Sequence, residues 1–283
     1  MKLKTIITTV FLISLFASCK KEDLTYDMPA MGGNQIQPLP LDLWIRDTLN
    51  IPYNISVKYK WDASELDLYK TLVPPMEQNI IPVLQAVNKV WVSCYIQEAG
   101  LDFFKEFCPK QFVLVGSANY ETDGTTILAT AEAGRKVVLY DVNNFDKTSA
   151  TSVVKLLHII EHEFTHILHQ HVMYPTSYKL VTPGAYTSAW KNFTTLQANN
   201  QGFITPYAMN TPDEDIAEMV STMLTTDRSK YDAMINGIVT ASARDALRAK
   251  ESIIVGYFSD VYGIDFYSLQ SRTVAAIKYV TTH

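Results

Sequence analysis

The spacing of apolar residues predicts four strands and one helix in the first half of the chain and mainly helices in the second. In several segments apolar and polar residues alternate, or apolar residues run together, which is typical of strands. These segments are 54–61, 111–116, 125–131 and 136–142. Helical spacing of three and four residues is found at 75–96, around 157–171 and beyond residue 226. The mixture predicts an α+β fold with a small twisted sheet and a mostly helical second part.

The clearest helical stripe surrounds the segment 157–171, which reads LHIIEHEFTHILHQH. Asp146, Ser149 or Thr151 can cap the start of this helix, and Tyr174-Pro175 stops it. Its apolar residues recur at steps of three and four, which is the spacing of a buried helix face. They are Val153, Leu156, Leu157, Ile160, Phe164, Ile167 and Leu168.

An H-E-x-x-H motif, His162-Glu163-Phe164-Thr165-His166, lies within this stripe. On a helix the two histidines leave the same face one turn apart, so both imidazoles can bind one zinc ion. Zinc lowers the pKa of bound water from about 15.7 to about 7, and a neighbouring carboxylate can then take a proton from that water. The motif therefore predicts a zinc site with His162 and His166 as ligands and Glu163 as the general base.

A catalytic zinc usually has three protein ligands, so one ligand must come from outside the motif. His158, His169 and His171 are nearby in the sequence and remain alternatives. Metzincins place a histidine six residues after the second motif histidine, but Val172 occupies that position here. The glycine of their longer motif is also replaced, by His169, and the metzincin family is therefore excluded.

Two carboxylates in the segment 211–219 are stronger candidates for the third ligand. Glu214 and Glu218 are four residues apart on a predicted helix, so one can bind the metal while the other orients a ligand histidine. Thr211 and Pro212 are also typical of a helix start, where Glu214 could serve only as a capping residue. The spacing leaves open which glutamate binds zinc.

The N-terminus has the pattern of a bacterial lipoprotein. Lys2 and Lys4 precede an apolar run at 6–16, which is too short to span a bilayer as a mature helix. The sequence LFASC that ends at Cys19 resembles a lipobox, and the resemblance implies that this cysteine is lipidated after the leader is removed. We therefore expect an outer-membrane lipoprotein at the periplasmic face or the cell surface.

This leader sets the expected domain organisation. The charged residues KKED after Cys19 resemble a short signal that sends lipoproteins of glycan-importing Gram-negative bacteria to the cell surface. Proline and glycine are frequent in the next part, which is typical of a flexible tether. The predicted divisions are a signal peptide at 1–18, a tether at 19–50 and a domain at 51–283, with subdomains at 51–171 and 172–283.

Composition and cysteine content restrict the function further. The net charge is −5 and no basic block is present, which argues against nucleic acid as a partner. Besides Cys19, the chain contains Cys94 and Cys108. Outside the cytoplasm these two can form one disulfide, or they can remain buried thiols, and their spacing does not decide between the two.

A second motif resembles that of known metalloproteases. Tyr207 lies seven residues before Glu214, and the pattern Y-x6-E-x-x-A-E resembles a segment of anthrax lethal factor and of the Pro-Pro endopeptidases, which are gluzincin-like enzymes. The resemblance implies that Glu214 is the third zinc ligand and that Glu218 supports the site. It also implies that Tyr207 donates a hydrogen bond to the oxyanion of the transition state.

A longer resemblance covers most of residues 19–283. The lipobox, HEFTHILHQ, GFITPYA and EDIAE together resemble the substrate import-associated zinc metallohydrolase lipoproteins. Genes of that family lie beside outer-membrane importer pairs of the starch-utilisation type. The resemblance therefore implies such an importer as a partner of this chain.

Strands followed by a helix with H-E-x-x-H also resemble the zincin fold, in which an edge strand of the sheet pairs with an extended peptide. The segment 125–131 is the predicted edge strand. We therefore expect a lipid-anchored zinc metallohydrolase, most simply a peptidase that cleaves a peptide or glycoprotein. The alternatives are an amidase on a cell-wall or glycan-linked amide, and a zinc-containing binding lipoprotein without turnover.

Overall fold

A small mixed sheet organises the first half of the chain. The computed structural model describes residues 38–66, 69–120, 126–127, 129–132 and 135–283. The predicted signal peptide and the lipidation site Cys19 lie outside the described residues. The strands are β1 (Ser56–Lys58), β2 (Gln111–Leu114), β3 (Asn119–Tyr120), β4 (Thr126–Ile127), β5 (Ala129–Glu132) and β6 (Lys136–Leu139).

The main sheet has the strand order β1-β2-β6-β5. Strands β1, β2 and β6 are parallel, whereas β5 runs antiparallel to β6 and forms one edge. In this register Ala129 lies opposite Leu139, and Glu132 lies opposite Lys136. Side chains on one face of the parallel strands enter the main core, because successive residues of a strand point to opposite faces; they are Phe112, Leu114, Val137 and Leu139.

The predicted strands agree with this sheet, with one correction. Those at 54–61, 111–116 and 136–142 are confirmed with shorter bounds. The predicted strand at 125–131 is instead divided, because β4 pairs with β3 in a separate two-stranded sheet. The edge strand beside β6 is β5, which begins four residues later than the predicted strand.

Helices make up most of the remaining chain, and the α+β fold is confirmed. Residues 88–92 form a π-helical turn that joins α3 to α4. The α-helices are α1 (Pro40–Ile45), α2 (Ile51–Tyr53), α3 (Glu77–Val87), α4 (Ser93–Phe107), α5 (Ala150–His171), α6 (Thr195–Asn199), α7 (Pro212–Thr225), α8 (Arg228–Asn236), α9 (Ala241–Tyr262) and α10 (Phe266–Thr282).

The tether predicted at 19–50 extends too far towards the C-terminus. The chain is helical from Pro40 through α2, and a π-helical turn joins the two short helices. Leu41, Ile45 and Leu49 are buried in the main core. Pro40 suggested a loop, but it is the first residue of α1, where proline is favourable because its missing N–H has no partner to lose.

The helix predicted at 75–96 is longer and less regular than expected. After α3 and the π-helical turn, α4 continues to Phe107. At Gly100 the backbone leaves the helical region, with φ of 91°, a conformation that glycine adopts without steric cost. Beyond the interruption, Phe103 packs edge-on against Phe164 of α5, and Phe104 packs against Trp91.

An aromatic cluster fixes the position of α5. Phe164 is 1% exposed, and its ring packs edge-on against Trp91 and Tyr95 at centroid distances of 5.2 and 5.0 Å. Such aromatic pairs contribute about 0.5–1.5 kcal/mol each beyond the area they bury. A helix turns about 100° per residue, so His162 leaves α5 on the side opposite Phe164. The cluster therefore determines which way the motif histidines point.

The chain is helical over most of its length beyond residue 226, as predicted. Helix α5 packs most extensively against α7, and α10 lies against α4, α5 and α7. Residues 40–283 form one compact unit, and the division into subdomains at residue 171 stays a prediction. None of the described helices is long and apolar enough to cross a membrane.

Cys94 and Cys108 are both free and buried. Their sulfur atoms face different parts of the backbone, Cys94 towards the carbonyl of Lys89 and Cys108 towards that of Tyr53. Burial raises the pKa of Cys94 to about 11, so this thiol stays protonated. Of the two possibilities left open by the sequence, the structure therefore contains two buried thiols.

Removing the ring at the centre of the aromatic cluster should strongly destabilise the fold. We expect Phe164→Ala to lower the free energy of unfolding by about 3–5 kcal/mol, because the buried ring is lost and a cavity remains. Urea denaturation of parent and variant, both in the presence of a chelator, measures the difference without a contribution from bound metal.

Leu196→Ala is the matched control, because Leu196 is 65% exposed. Its effect should stay within about 0.5 kcal/mol, as is usual for surface substitutions. If Phe164→Ala destabilised the protein no more than this control, the aromatic cluster would not be what holds α5.

Candidate active site

Helix α5 brings the two motif histidines together. It starts where the Ser149 hydroxyl accepts a hydrogen bond from the backbone amide of Ser152, so Ser149 is the cap among the three predicted candidates. The rings of His162 and His166 are 4.8 Å apart between centroids. Their Nε2 atoms are 3.1 Å apart, so both nitrogens face the same point.

Helix α7 supplies a carboxylate to that point. The Thr211 hydroxyl caps α7 by accepting from the backbone amide of Glu214. Because this cap uses only the backbone of Glu214, its side chain is available for another contact. Its Oε2 lies 3.0 Å from Nε2 of His162 and 3.3 Å from Nε2 of His166. Of the two roles that the sequence suggested for the Glu214 side chain, capping residue and neighbour of the histidines, the structure therefore shows the second.

These three side chains have the size and chemistry of a zinc site. The two imidazole nitrogens and the carboxylate oxygen form a triangle with sides of 3.0, 3.1 and 3.3 Å. In a tetrahedral zinc site with nitrogen and oxygen ligands at about 2.0–2.1 Å, neighbouring ligand atoms are about 3.3–3.4 Å apart. The triangle therefore needs only a slight expansion to hold zinc and leaves a fourth position open.

The electrostatics of the pocket favour a positive charge between these residues. Burial alone would lower the pKa of His162, but the carboxylates of Glu214 and Glu218 raise it to about 10. Burial works against ionisation of Glu214, but its contacts with His162 and His166 hold its pKa well below the usual range. The carboxylate is therefore ionised, as a metal ligand must be.

Glu218 lies one helical turn after Glu214 and contacts the other nitrogen of His162. Its Oε1 is 2.8 Å from Nδ1 of His162 and 3.3 Å from Nε2 of His158, and its Oε2 accepts from the hydroxyl of Thr205. Glu218 is 7% exposed, so its orientation is fixed by these contacts. This is the position from which a carboxylate orients a metal-binding histidine.

Within the described part of the chain, two groups of three side chains could hold a metal ion. One is His162, His166 and Glu214, and the other is His158, His162 and Glu218. The first contains both motif histidines and points two Nε2 atoms at one carboxylate oxygen. In the second, Thr205 also binds Glu218. The first group is therefore the better metal site.

The remaining histidine alternatives do not join the triangle. Nε2 of His158 contacts Glu218 and the hydroxyl of Ser221. Nε2 of His169 contacts Nδ1 of His166 at 2.9 Å. His171 is exposed at the end of α5, where its ring packs on Phe107. The third position of the triangle is therefore occupied by Glu214 and not by a histidine.

Glu163 and Tyr207 lie beside the triangle. Glu163 is half-buried and follows His162 on α5. Its negative charge adds to the larger effects of burial and Glu214 that raise the pKa of Tyr207. The Tyr207 ring lies nearly parallel to the His162 ring, with centroids 5.8 Å apart. Trp190 packs edge-on against Tyr207 at 4.9 Å. The structure therefore brings together every residue that the sequence predicted for the catalytic site.

A buried ion pair behind the site was not predicted. Nζ of Lys250 lies 2.6 Å from Oδ2 of Asp215, and neither side chain is exposed. Lys250 also donates to the carbonyl of Gly202, and the Tyr186 hydroxyl donates to Asp215. The pair thereby ties α7 to α9 and to the segment that leads to Tyr207. Lys250 and Asp215 are far apart in the sequence, so no local pattern indicates this contact.

Comparison with known proteins agrees with this geometry. Residues 34–267 match the model of a family described as "Putative zinc-binding metallo-peptidase". A crystal structure with the same description, from Bacteroides caccae, is 28% identical to the chain with a TM-score of 0.74, and the match covers 86% of this chain and 93% of that one. None of the curated proteins matches. Because the family model covers most of its length, the chain belongs to this family of zinc-binding metallopeptidases.

Proposed function

We propose that this chain is a zincin-like peptidase that uses one catalytic zinc ion, with His162, His166 and Glu214 as its ligands. The observation that supports this most directly is the triangle of three ligand atoms, each within 3.3 Å of the others. When bound, zinc supplies a Lewis acid that polarises the substrate carbonyl and acidifies water. Glu218 keeps His162 in the required orientation.

Glu163 is the proposed general base. Glu163 follows the proposed ligand His162 on α5, and its negative charge is among those that raise the pKa of His162 and of Tyr207. It takes a proton from the water that attacks the carbonyl carbon, and it returns that proton to the amide nitrogen when the C–N bond breaks. Binding zinc does not require Glu163, so its presence favours turnover over binding alone.

Tyr207 is the proposed hydrogen-bond donor to the oxyanion. Burial and the neighbouring carboxylate of Glu214 raise the pKa of Tyr207 above its usual value. The hydroxyl therefore keeps its proton at neutral pH and can donate it in a hydrogen bond. Packing against His162 and Trp190 fixes the ring, which is the preorganisation that this kind of stabilisation requires.

The proposed substrate is an extended peptide, either free or part of a glycoprotein. Strand β5 is the edge of the sheet and lies against α5, which carries the motif. An extended peptide can pair with such an edge through main-chain hydrogen bonds, which bind any sequence. Specificity would then come from side-chain pockets along the cleft.

The proposed location is the outer membrane, at the periplasmic face or the cell surface, with a lipid on Cys19 as the membrane anchor. The lipobox-like sequence before Cys19 supports the anchor. The proposed role is to cleave peptides or glycoproteins in connection with nutrient import, with an outer-membrane importer pair as a partner. Only the resemblance to import-associated lipoproteins supports that partner.

The metal site predicts how substitutions change zinc content. We expect about one zinc per purified parent chain, and almost none after His162→Ala or His166→Ala. Glu214→Ala should remove most of the metal, because a ligand is lost, whereas Glu218→Ala should retain more. Metal analysis by mass spectrometry after dialysis measures this, with His171→Ala as a control that keeps its zinc. Full zinc content in either motif-histidine variant would contradict the proposed ligands.

The proposed base and donor predict two different losses of rate. Glu163→Gln keeps the shape of the side chain but cannot take a proton, so nearly all turnover should disappear while zinc and fold remain. Tyr207→Phe should reduce kcat by about 10²- to 10³-fold, or roughly 2.7–4 kcal/mol, because one oxyanion donor is lost. A proteome-wide cleavage profile of the parent, with a chelated control, first identifies a substrate on which both variants are assayed.

Glu106→Gln and Tyr120→Phe are matched controls, because both residues are exposed and far from the motif in sequence. Both should keep the rate of the parent. A parent chain that is folded and loaded with zinc, but inert on diverse peptides, would instead support the zinc-containing binding lipoprotein.

The proposed anchor predicts a change of location. Cys19→Ala should release the protein from the membrane fraction, because acyl chains are lost and none of the described helices can span a bilayer. Fractionation of cells that express parent and variant measures this. Cys94→Ala is the control and should remain in the membrane fraction. A Cys19→Ala protein that still pellets with membranes would rule out the lipid anchor.

A further inference from the structure

A second histidine stands behind one of the proposed metal ligands. His169 is one turn after His166 on α5 and is 4% exposed. Its Nε2 lies 2.9 Å from Nδ1 of His166, which is hydrogen-bond distance. The two rings are nearly perpendicular, at 77°. Among the described residues, His169 provides the hydrogen-bond contact at that nitrogen of His166.

Metal binding determines which nitrogen carries the proton in this pair. An imidazole that binds a metal through Nε2 must give the metal its Nε2 lone pair, so its proton is on Nδ1. The Nδ1–H of a metal-binding histidine is almost always donated to an acceptor, and this hydrogen bond fixes both the tautomer and the ring orientation. For His166 the acceptor within reach is the Nε2 lone pair of His169.

We propose that His169 is a positioning residue that holds His166 in the tautomer and orientation needed to bind the metal through Nε2. The inference rests on the proposed function, because it takes His166 as a ligand. It goes beyond that proposal by assigning a role to a residue outside the H-E-x-x-H motif and the Tyr207–Glu218 segment.

The surroundings of His169 hold its ring in place. Tyr174, which is almost fully buried, meets the His169 ring edge-on at 5.6 Å. The Tyr174 hydroxyl donates to Oδ1 of Asp213, the residue before Glu214. His169 therefore packs against the ring of Tyr174, which is itself bonded to the first turn of α7. Through Tyr174, the residue beside the ligand His166 is connected to the helix turn that carries the ligand Glu214.

In the proposed arrangement, each of the two rings carries its proton on a defined nitrogen. When His166 donates from Nδ1, Nε2 of His169 must be unprotonated, so the single proton of neutral His169 is on its Nδ1. Without metal the opposite arrangement is available, in which Nε2–H of His169 donates to Nδ1 of His166 and Nε2–H of His166 faces Glu214. Both arrangements contain the same number of protons. Metal binding should therefore exchange the tautomers of both histidines together.

Two substitutions of His169 distinguish the loss of its hydrogen-bond acceptor from the loss of the imidazole ring itself. His169→Leu removes the acceptor, whereas the amide oxygen of His169→Gln can reach a position similar to that of Nε2 and accept the same hydrogen bond. We expect His169→Leu to weaken zinc binding by about 10- to 100-fold. His169→Gln should recover most of this loss. Competition with a coloured chelator measures the zinc Kd of each protein.

The control for helix position is His171→Leu, because His171 is exposed on the same helix. Its zinc Kd should equal that of the parent. If His169→Leu did not fold, ¹⁵N NMR of histidine-labelled parent protein would still test the inference. In the zinc-loaded parent, His166 and His169 should both carry their proton on Nδ1, and in the zinc-free parent both should carry it on Nε2.

Two results would overturn the inference. One is a zinc Kd of His169→Leu that equals those of His169→Gln and the parent. The other is a protonated Nε2 on His169 in the zinc-loaded parent. Failure of the proposed function is distinguishable, because then the parent itself would bind no zinc or would bind it independently of His166.

Discussion

The structure depends on the meeting of two helices, α5 and α7, at one point where two imidazole nitrogens face one carboxylate oxygen. The three atoms lie within 3.3 Å of one another, which is close enough for a shared metal ion. Because metal–ligand distances must agree with their usual values within about 0.2 Å, a displacement of either helix by about one ångström would take these atoms out of ligand range. The aromatic cluster around Phe164 positions α5, and the Thr211 cap and the buried Lys250 position α7.

The contacts of the first turn of α7 explain how the Glu214 carboxylate is held in position. Asp213, Glu214 and Asp215 are consecutive, and because a helix turns about 100° per residue, their carboxylates point in three directions. Asp213 accepts from Tyr174, Glu214 faces the two histidines, and Asp215 pairs with Lys250. Breaking a buried ion pair such as the last typically destabilises a protein by about 3–5 kcal/mol. The orientation of Glu214 is therefore supported by contacts on both sides of it.

Local sequence predicted much of this site. The features that it did not predict were missed for physical reasons. The three- and four-residue spacing predicted α5, and the helix-start residues Thr211 and Pro212 predicted the beginning of α7. On a helix, the four-residue interval then placed Glu214 and Glu218 on one face. The helix from Pro40 was missed, since proline suits both a loop and a first helical turn. The sequence left His169 as an alternative ligand, but only the fold shows which atom it contacts. The Lys250 pair joins distant segments, so no local pattern could indicate it.

The two proposed ligand histidines have different partners, a carboxylate for His162 and a neutral imidazole for His166. A carboxylate in place of His169 would accept the same hydrogen bond, but it would add a negative charge to a pocket that already contains Glu163, Glu214 and Glu218. In general, two like charges about 6 Å apart repel each other by about 3 kcal/mol at an effective dielectric constant of about 20. A second histidine avoids this repulsion because its lone pair accepts without a charge. Charge balance is therefore a physical reason for a histidine, rather than an acid, behind His166.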